Sequence, residues 1–197
     1  RGRRAWALQA DVADSEAAEA LLARLPADMP RLVALVNNAG ITGPLSAFVD
    51  KKLDSIKRVF DVNVIGALAL TQGVVASWLQ SGTRGSIVNV SSIAATLGAP
   101  GEYVDYAASK AAIEAFTIGL GKELGTKGIR VNCVSPGTSL TGIHAAAGEP
   151  DRPARVAPRI PMGRAGEPKE IAEAIAWLVS PKSSYVTGAV LRVSGGL

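Results

Sequence analysis

The 197-residue sequence has one cysteine, one histidine and few aromatic residues, and each shortage removes a class of function. A lone Cys133 forms no internal disulfide, and its place in the apolar run "IRVNCV" reads as a buried structural thiol. His144 alone makes no zinc site, and no Cys, Asp or Glu cluster stands near it, so it reads as a loop residue and no metal is expected. Aromatic residues are 5% of the chain, too few for a platform on which nucleic-acid bases would stack. The net charge is +4, but the basic residues are dispersed apart from "RGRR" at the start, so nucleic acid is not an expected partner. No apolar run reaches the ~18 residues of a membrane helix, and nothing near Arg1 has the pattern of a signal peptide. The expectation is a cytoplasmic protein with no membrane partner.

What is present reads as an ordinary α/β protein: 48% hydrophobic residues, 19% charged, and a length that suits one domain over 1–197. Apolar runs with strand character lie at 5–10, 31–36, 86–91, 129–135 and 189–194, and the middle three are continuous enough to be covered on both faces. Helical patterns alternate with them. Ala18, Leu21, Leu22 and Leu25 follow helical spacing between Asp14, an N-cap candidate, and Pro26, a stop. A long helical stretch covers 54–80, and Pro168 opens a last amphipathic helix through Ile171, Ile175, Leu178 and Val179. Strand and helix in alternation predict a doubly wound parallel sheet, Rossmann-like, with residues 138–167 as a loop inserted within the domain.

In such sheets ligands bind beyond the carboxyl ends of the strands. Asp11-Val12, Asn37-Asn38-Ala39-Gly40, Ser91-Ser92 and Pro136-Gly137 each follow one of the first four strand candidates, so four polar or glycine-containing loops converge on one edge. Tyr106 and Lys110 are four positions apart on one helix and share a face. An ammonium there favours the phenolate and is expected to lower the tyrosine from its usual ~10.

The segments "DV" (11–12), "NNAG" (37–40), "DVNVIG" (61–66), "IVNVSS" (87–92), "YAASK" (106–110), "IRVNCVSPG" (129–137) and "YVTG" (185–188) occur in this order along the chain. In that ordered set the sequence resembles the short-chain dehydrogenase/reductase family of the classical type, over essentially its whole length. The resemblance implies an oxidoreductase moving a hydride between NAD or NADP and a secondary alcohol or carbonyl substrate. It makes Tyr106 the general acid/base, Lys110 the residue that tunes it and binds ribose hydroxyls, Ser92 the partner of the reacting oxygen, and Asn63 the holder of a relay water. For the cofactor it implies Asp11 and Val12 at the adenine, Asn38, Ala39 and Gly40 along the ribose, and Pro136, Gly137 and Thr141 over the nicotinamide. Asn37 and Ser91 read as structural. A homo-oligomer, a tetramer, is implied by the long helix at 54–80 and by the small residues Ala108, Ala112, Ala115 and Gly119.

Two departures from the family pattern stand out. Ser92 and Tyr106 are 14 positions apart, one more than the commonest family spacing, which predicts a bulged loop at "GAPGEYV" and leaves Ser91 as the fallback. The glycine-rich TGxxxGxG turn is absent from these residues. In the strand order 3-2-1-4-5-6 the run at 5–10 matches the third strand and 31–36 the fourth, which are not neighbours. The expectation is a preceding segment of about 45 to 55 residues, two βα units. A non-catalytic homologue acting as a structural partner is the alternative reading.

Overall fold

Val, Ile and Leu gather in four short runs, and in the computed structural model, which describes residues 4–197, each is a strand of one sheet. These are β1 (Ala34–Asn37), β2 (Gly85–Val90), β3 (Ile129–Pro136) and β4 (Val190–Val193), all parallel and adjacent in chain order. Leu35 pairs with Ile87, Ile87 with Val131, and Cys133 with Val190. The helices are α1 (Ser15–Ala23), α2 (Leu53–Phe60), α3 (Gly66–Ser81), α4 (Ala94–Leu97), α5 (Val104–Leu124), α6 (Ile143–Ala146), α7 (Arg152–Val156) and α8 (Pro168–Val179).

Successive strand residues face opposite layers, so one strand feeds two cores. Ile87 and Val131 pack with Val74 and Trp78 of α3 and Leu124 of α5, while Val88 and Val134 pack with Leu178 of α8 on the other face. The sheet is therefore doubly wound, and each fully buried Val or Leu contributes about 1.5–3 kcal/mol. A third cluster joins Val59 of α2 to Ala94, Ala99, Tyr103, Tyr106 and Ala107 at the site end. Helix α8 starts where expected: Pro168 occupies its first turn, and the Glu170 carboxylate accepts from the Glu167 N–H at 2.8 Å and from the Arg164 fork.

The structure departs from the sequence expectations in four places. Residues 5–10 form no strand and are not paired with β1. A strand exists only through its ladder, and here the Gln9 carbonyl is bonded by the Arg24 side chain instead. Helix α1 stops at Ala23, short of Leu25. The stretch 54–80 is not a uniform helix, because α2 and α3 are joined by a π-helical turn, Asp61–Ile65. Taken as one piece, Leu53–Ser81 is apolar and long enough to cross a membrane by length and composition, although no continuous apolar run does so; Val59, Val74 and Trp78 are buried in the cores. Finally, the 138–167 loop holds α6, α7 and a 3₁₀ turn, Ala157–Arg159.

Candidate active site

The carboxyl ends of β1, β2 and β3 deliver Asn38 to Gly40, Ser91-Ser92 and Pro136-Gly137 to one edge, where α5 lies across them. Asn37 anchors this edge: its amide donates to Asn89 at 2.8 Å and Thr71 at 2.9 Å, and Asn89 donates on to Thr117 of α5. Its role is structural, as the sequence suggested.

Ser91 and Ser92 point different ways. Ser91 is buried, with its hydroxyl 2.9 Å from the Glu114 carboxylate and 3.1 Å from the Lys110 carbonyl, both on α5. Ser92 is half-buried on the cavity wall and interacts with the Tyr106 phenol. Ser92, and not Ser91, therefore faces Tyr106, and the loop before α5 turns sharply where Ala99 adopts φ 46°, between Gly98 and Gly101 in similar left-handed conformations.

Tyr106 and Lys110 lie on the same face of α5, with the ammonium 5.7 Å from the ring centre. Lys110 is 4% exposed, and its Nζ donates to the Val90 carbonyl at 2.8 Å. Burial holds the Tyr106 phenol above its usual value, and the Ser92 interaction pulls the other way only in part. Burial also brings Lys110 down to about 8. The expected lowering of the phenol by the neighbouring cation is thus not the dominant effect: desolvation outweighs it, because spacing reveals a neighbour and not the loss of water.

Asn63 is buried in the π-helical turn, a feature common at functional sites. Its amide donates to the Ile41 carbonyl at 2.8 Å and to Ser109 Oγ at 3.0 Å, and its oxygen accepts from the Ile41 N–H at 2.8 Å. Both amide protons are committed, so the side chain acts as a strut between the loop after β1 and α5.

A cavity of about 750 Å³ gathers Asn38, Gly40, Ser92, Tyr106, Lys110, Pro136, Gly137 and Thr141. Asp11, Val12, Ala39 and Asn63 lie outside its lining. Asp11 is on the surface, 2.9 Å from Arg58, which lowers its pKa. Val12 lies against Gly66, where a Cβ would come within 2.8 Å of the Val12 carbonyl carbon. The cavity also takes in residues that sequence reasoning passed over. Tyr103 meets Tyr106 edge-on at 5.5 Å, and burial pushes its phenol up to about 12. Arg152, from α7, lies over Tyr103 and bonds Glu102 at 2.6 Å. His144, read as a loop residue, sits in α6 on the cavity wall, where burial lowers its pKa. Tyr103 was findable from its position one turn before Tyr106, whereas the Glu102–Arg152 contact spans 50 positions and leaves no local signal.

The lining suits the ribosyl-nicotinamide half of NAD or NADP. Lys110 spends one proton on Val90 and has two left for hydroxyls. Gly40 provides a cradle that a side chain would fill, since a Cβ there would stand 3.1 Å from Lys110 Nζ. Pro136 and Gly137 close the opposite side.

A family model described as Enoyl-(Acyl carrier protein) reductase matches residues 1–197. The chain is 47% identical over 197 residues to the uncharacterized oxidoreductase YgfF of Escherichia coli strain K12, covering 99% of this chain and 80% of that one. It is 38% identical to L-rhamnose 1-dehydrogenase (NAD(P)(+)) of Sphingomonas sp. strain SKA58, over 100% of this chain and 77% of that one. A solved structure described as a short chain dehydrogenase/reductase family protein superposes with a TM-score of 0.83 at 37% identity, covering 96% of this chain and 75% of the other.

Proposed function

This chain belongs to the short-chain dehydrogenase/reductase family of oxidoreductases, and we propose that it interconverts a secondary alcohol and a carbonyl with NAD or NADP, Tyr106 carrying the proton. The observation that carries this reading is the meeting of Ser92, Tyr106 and Lys110 on one cavity wall beside Gly40, Pro136 and Gly137. NAD(P), when bound, supplies or accepts the hydride at the reacting carbon.

The chain's own residues handle the oxygen and its proton. In reduction the Tyr106 phenol donates its proton to the oxygen that gains charge, and in oxidation the phenolate takes the alcohol proton. Ser92 Oγ donates to the same oxygen and stabilises the developing charge. Lys110 stays beside Tyr106, favours the phenolate as it forms, and holds ribose hydroxyls with its two remaining protons. Asn63 keeps Ile41, and with it the Asn38 to Gly40 wall, fixed against α5. Asp11, Val12 and Ala39 belong to the adenosine end in this reading.

Titrating NADH and NADPH into the protein by fluorescence, then assaying oxidation of L-rhamnose with each oxidised cofactor, tests the proposal. Failure to bind either cofactor refutes it. We also assign the exposed α5 face of Ala108, Ala115, Ile118 and Gly119 to a homotetramer contact. Light scattering from a stable monomer refutes that assignment.

A further inference from the structure

The substrate side of the cavity is closed by α6 and α7, helices of 4 and 5 residues that are too short to stand without tertiary contacts. One side chain joins this cap to the start of α5. Arg152 Nη2 donates to Glu102 at 2.6 Å, Nη1 donates to Glu149 at 3.2 Å, and the guanidinium lies 4.8 Å from the Tyr103 ring centre. Its side chain is 12% exposed. Tyr103 in turn meets Tyr106 at 5.5 Å with the rings at 89°. Arg155 reinforces the same two carboxylates, at 2.7 Å from Glu149 and 3.5 Å from Glu102, but is 48% exposed and is not stacked on Tyr103.

Two guanidinium groups balance two carboxylates here, so Arg152 is not a free cation awaiting an anionic substrate. Its fork is already filled, and its flat face is spent on an aromatic ring.

We propose that Arg152 is a positioning residue: it latches the α6–α7 cap to Glu102 and, through Tyr103, fixes and desolvates Tyr106. The proposal rests on the proton-transfer role assigned to Tyr106. The groups around Tyr106 are Ser92, Tyr103 and Lys110, with Glu102, Glu149 and Arg152 around Tyr103 and His144 facing Arg152 and Glu149.

The full chain has three tyrosines, so ultraviolet titration in a Tyr103→Phe, Tyr185→Phe background reports Tyr106 alone. Deleting a cation by itself raises a phenol's pKa, whereas opening the latch admits water and lowers it, so the sign decides. With Arg152→Met added, the Tyr106 midpoint is expected to fall toward the ordinary value, and Arg152→Lys to restore part of the difference. Glu102→Gln, which keeps Arg152 and the ring at position 103, should open the cap as well, read by hydrogen exchange because losing a carboxylate lowers a nearby phenol by itself. Hydrogen exchange over 143–159 should rise about tenfold in Arg152→Met as the cap opens. A Tyr106 midpoint that stays or rises in Arg152→Met overturns the proposal, whether or not the cap exchanges faster. Retained turnover in Tyr106→Phe would refute the proton-transfer role separately, because the titration reads the latch without any substrate.

Discussion

Lys51 Nζ lies 2.9 Å from the Asp105 carboxylate, with the two side chains 0% and 1% exposed, immediately before Tyr106 in α5. The same ammonium donates to the Pro44 carbonyl at 2.7 Å. The pair pins the loop after β1 to the first turn of the helix that carries Tyr106 and Lys110. Among the described residues the carboxylate has this ion partner and no well-aligned hydrogen bond, so Lys51 supplies the opposing charge, with the first turn of α5 beside it. Lys51→Met is expected to destabilise the protein by about 3–5 kcal/mol, since it strands a buried charge. Combining it with Asp105→Leu should recover most of that loss. Urea unfolding measures both, and a single variant within about 1 kcal/mol of the parent contradicts the expectation.

Tyr106→Phe keeps the ring against Tyr103 and removes only the proton. Turnover should fall by about 10² to 10⁴ while NADH or NADPH affinity changes little. Steady-state kinetics and fluorescence titration check the two halves, and a variant that keeps most of its activity removes Tyr106 from the mechanism.

Burial sets two pH dependences. The raised Tyr106 pKa keeps the phenol protonated at neutral pH, which suits reduction. Oxidation needs the phenolate, so its rate should climb through the alkaline range. For Lys110 the folded value of about 8 lies below the ordinary 10.5, so the buried ammonium costs stability below pH 8, and the cost is relieved as pH rises toward 10.5. Cys133 works the other way, as burial pushes its thiol from 9.0 up to about 12 and its contribution declines above pH 9.0. Comparing the parent with Lys110→Met removes the part of the Cys133 effect that comes from burial, and adding Cys133→Ala to both proteins removes the part that comes from Lys110. The parent should gain stability relative to the variant between pH 8 and 10.5, and a constant difference in urea unfolding would contradict the shift.

At Gly40 an added methyl group would come 3.1 Å from Lys110 Nζ and 3.4 Å from Asn63 Oδ1. Lys110 can swing away, so Gly40→Ala should cost no more than about 1 kcal/mol of stability. Displacing the ammonium from its bond to Val90 should nevertheless lower turnover by up to about 10²-fold. Thermal melts and kinetics on the same sample separate these effects, and unchanged kinetics would place Gly40 outside the working wall.

The sheet core was legible because β2 and β3 carry short Val- and Ile-containing runs without an alternating polar face, as strands covered on both faces do. The run at 5–10, AWALQA, is apolar but has no β-branched residue, and pairing depends on what lies alongside, which nothing within the six residues encodes. The motif residues Ser92, Tyr106 and Lys110 were legible by order and spacing, and the structure places all three on one cavity. Their protonation was not, because desolvation comes from Tyr103, Ala107 and the helices packed around them. The π-helical turn was hidden for a related reason: Val59 and Val74 keep a core-facing pattern on both sides of it. The cap was the least legible part, since α6 and α7 are held by contacts such as Arg152 to Glu102 that link distant segments.

The wide turn at Asp61–Ile65 gives the α2–α3 rod one residue more than its two core faces require. The surplus is absorbed in a single turn, so shortening the chain there by one residue would restore a regular helix with Val59 and Val74 still directed at their cores. What such a deletion would lose is the placement of the Asn63 amide against Ile41 and Ser109. Architecture and chemistry are separable at this point of the sequence. A length variant within 61–65 is expected to keep the fold with its cavity wall unmoored, whereas a deletion between Tyr106 and Lys110 would rotate one away from the other.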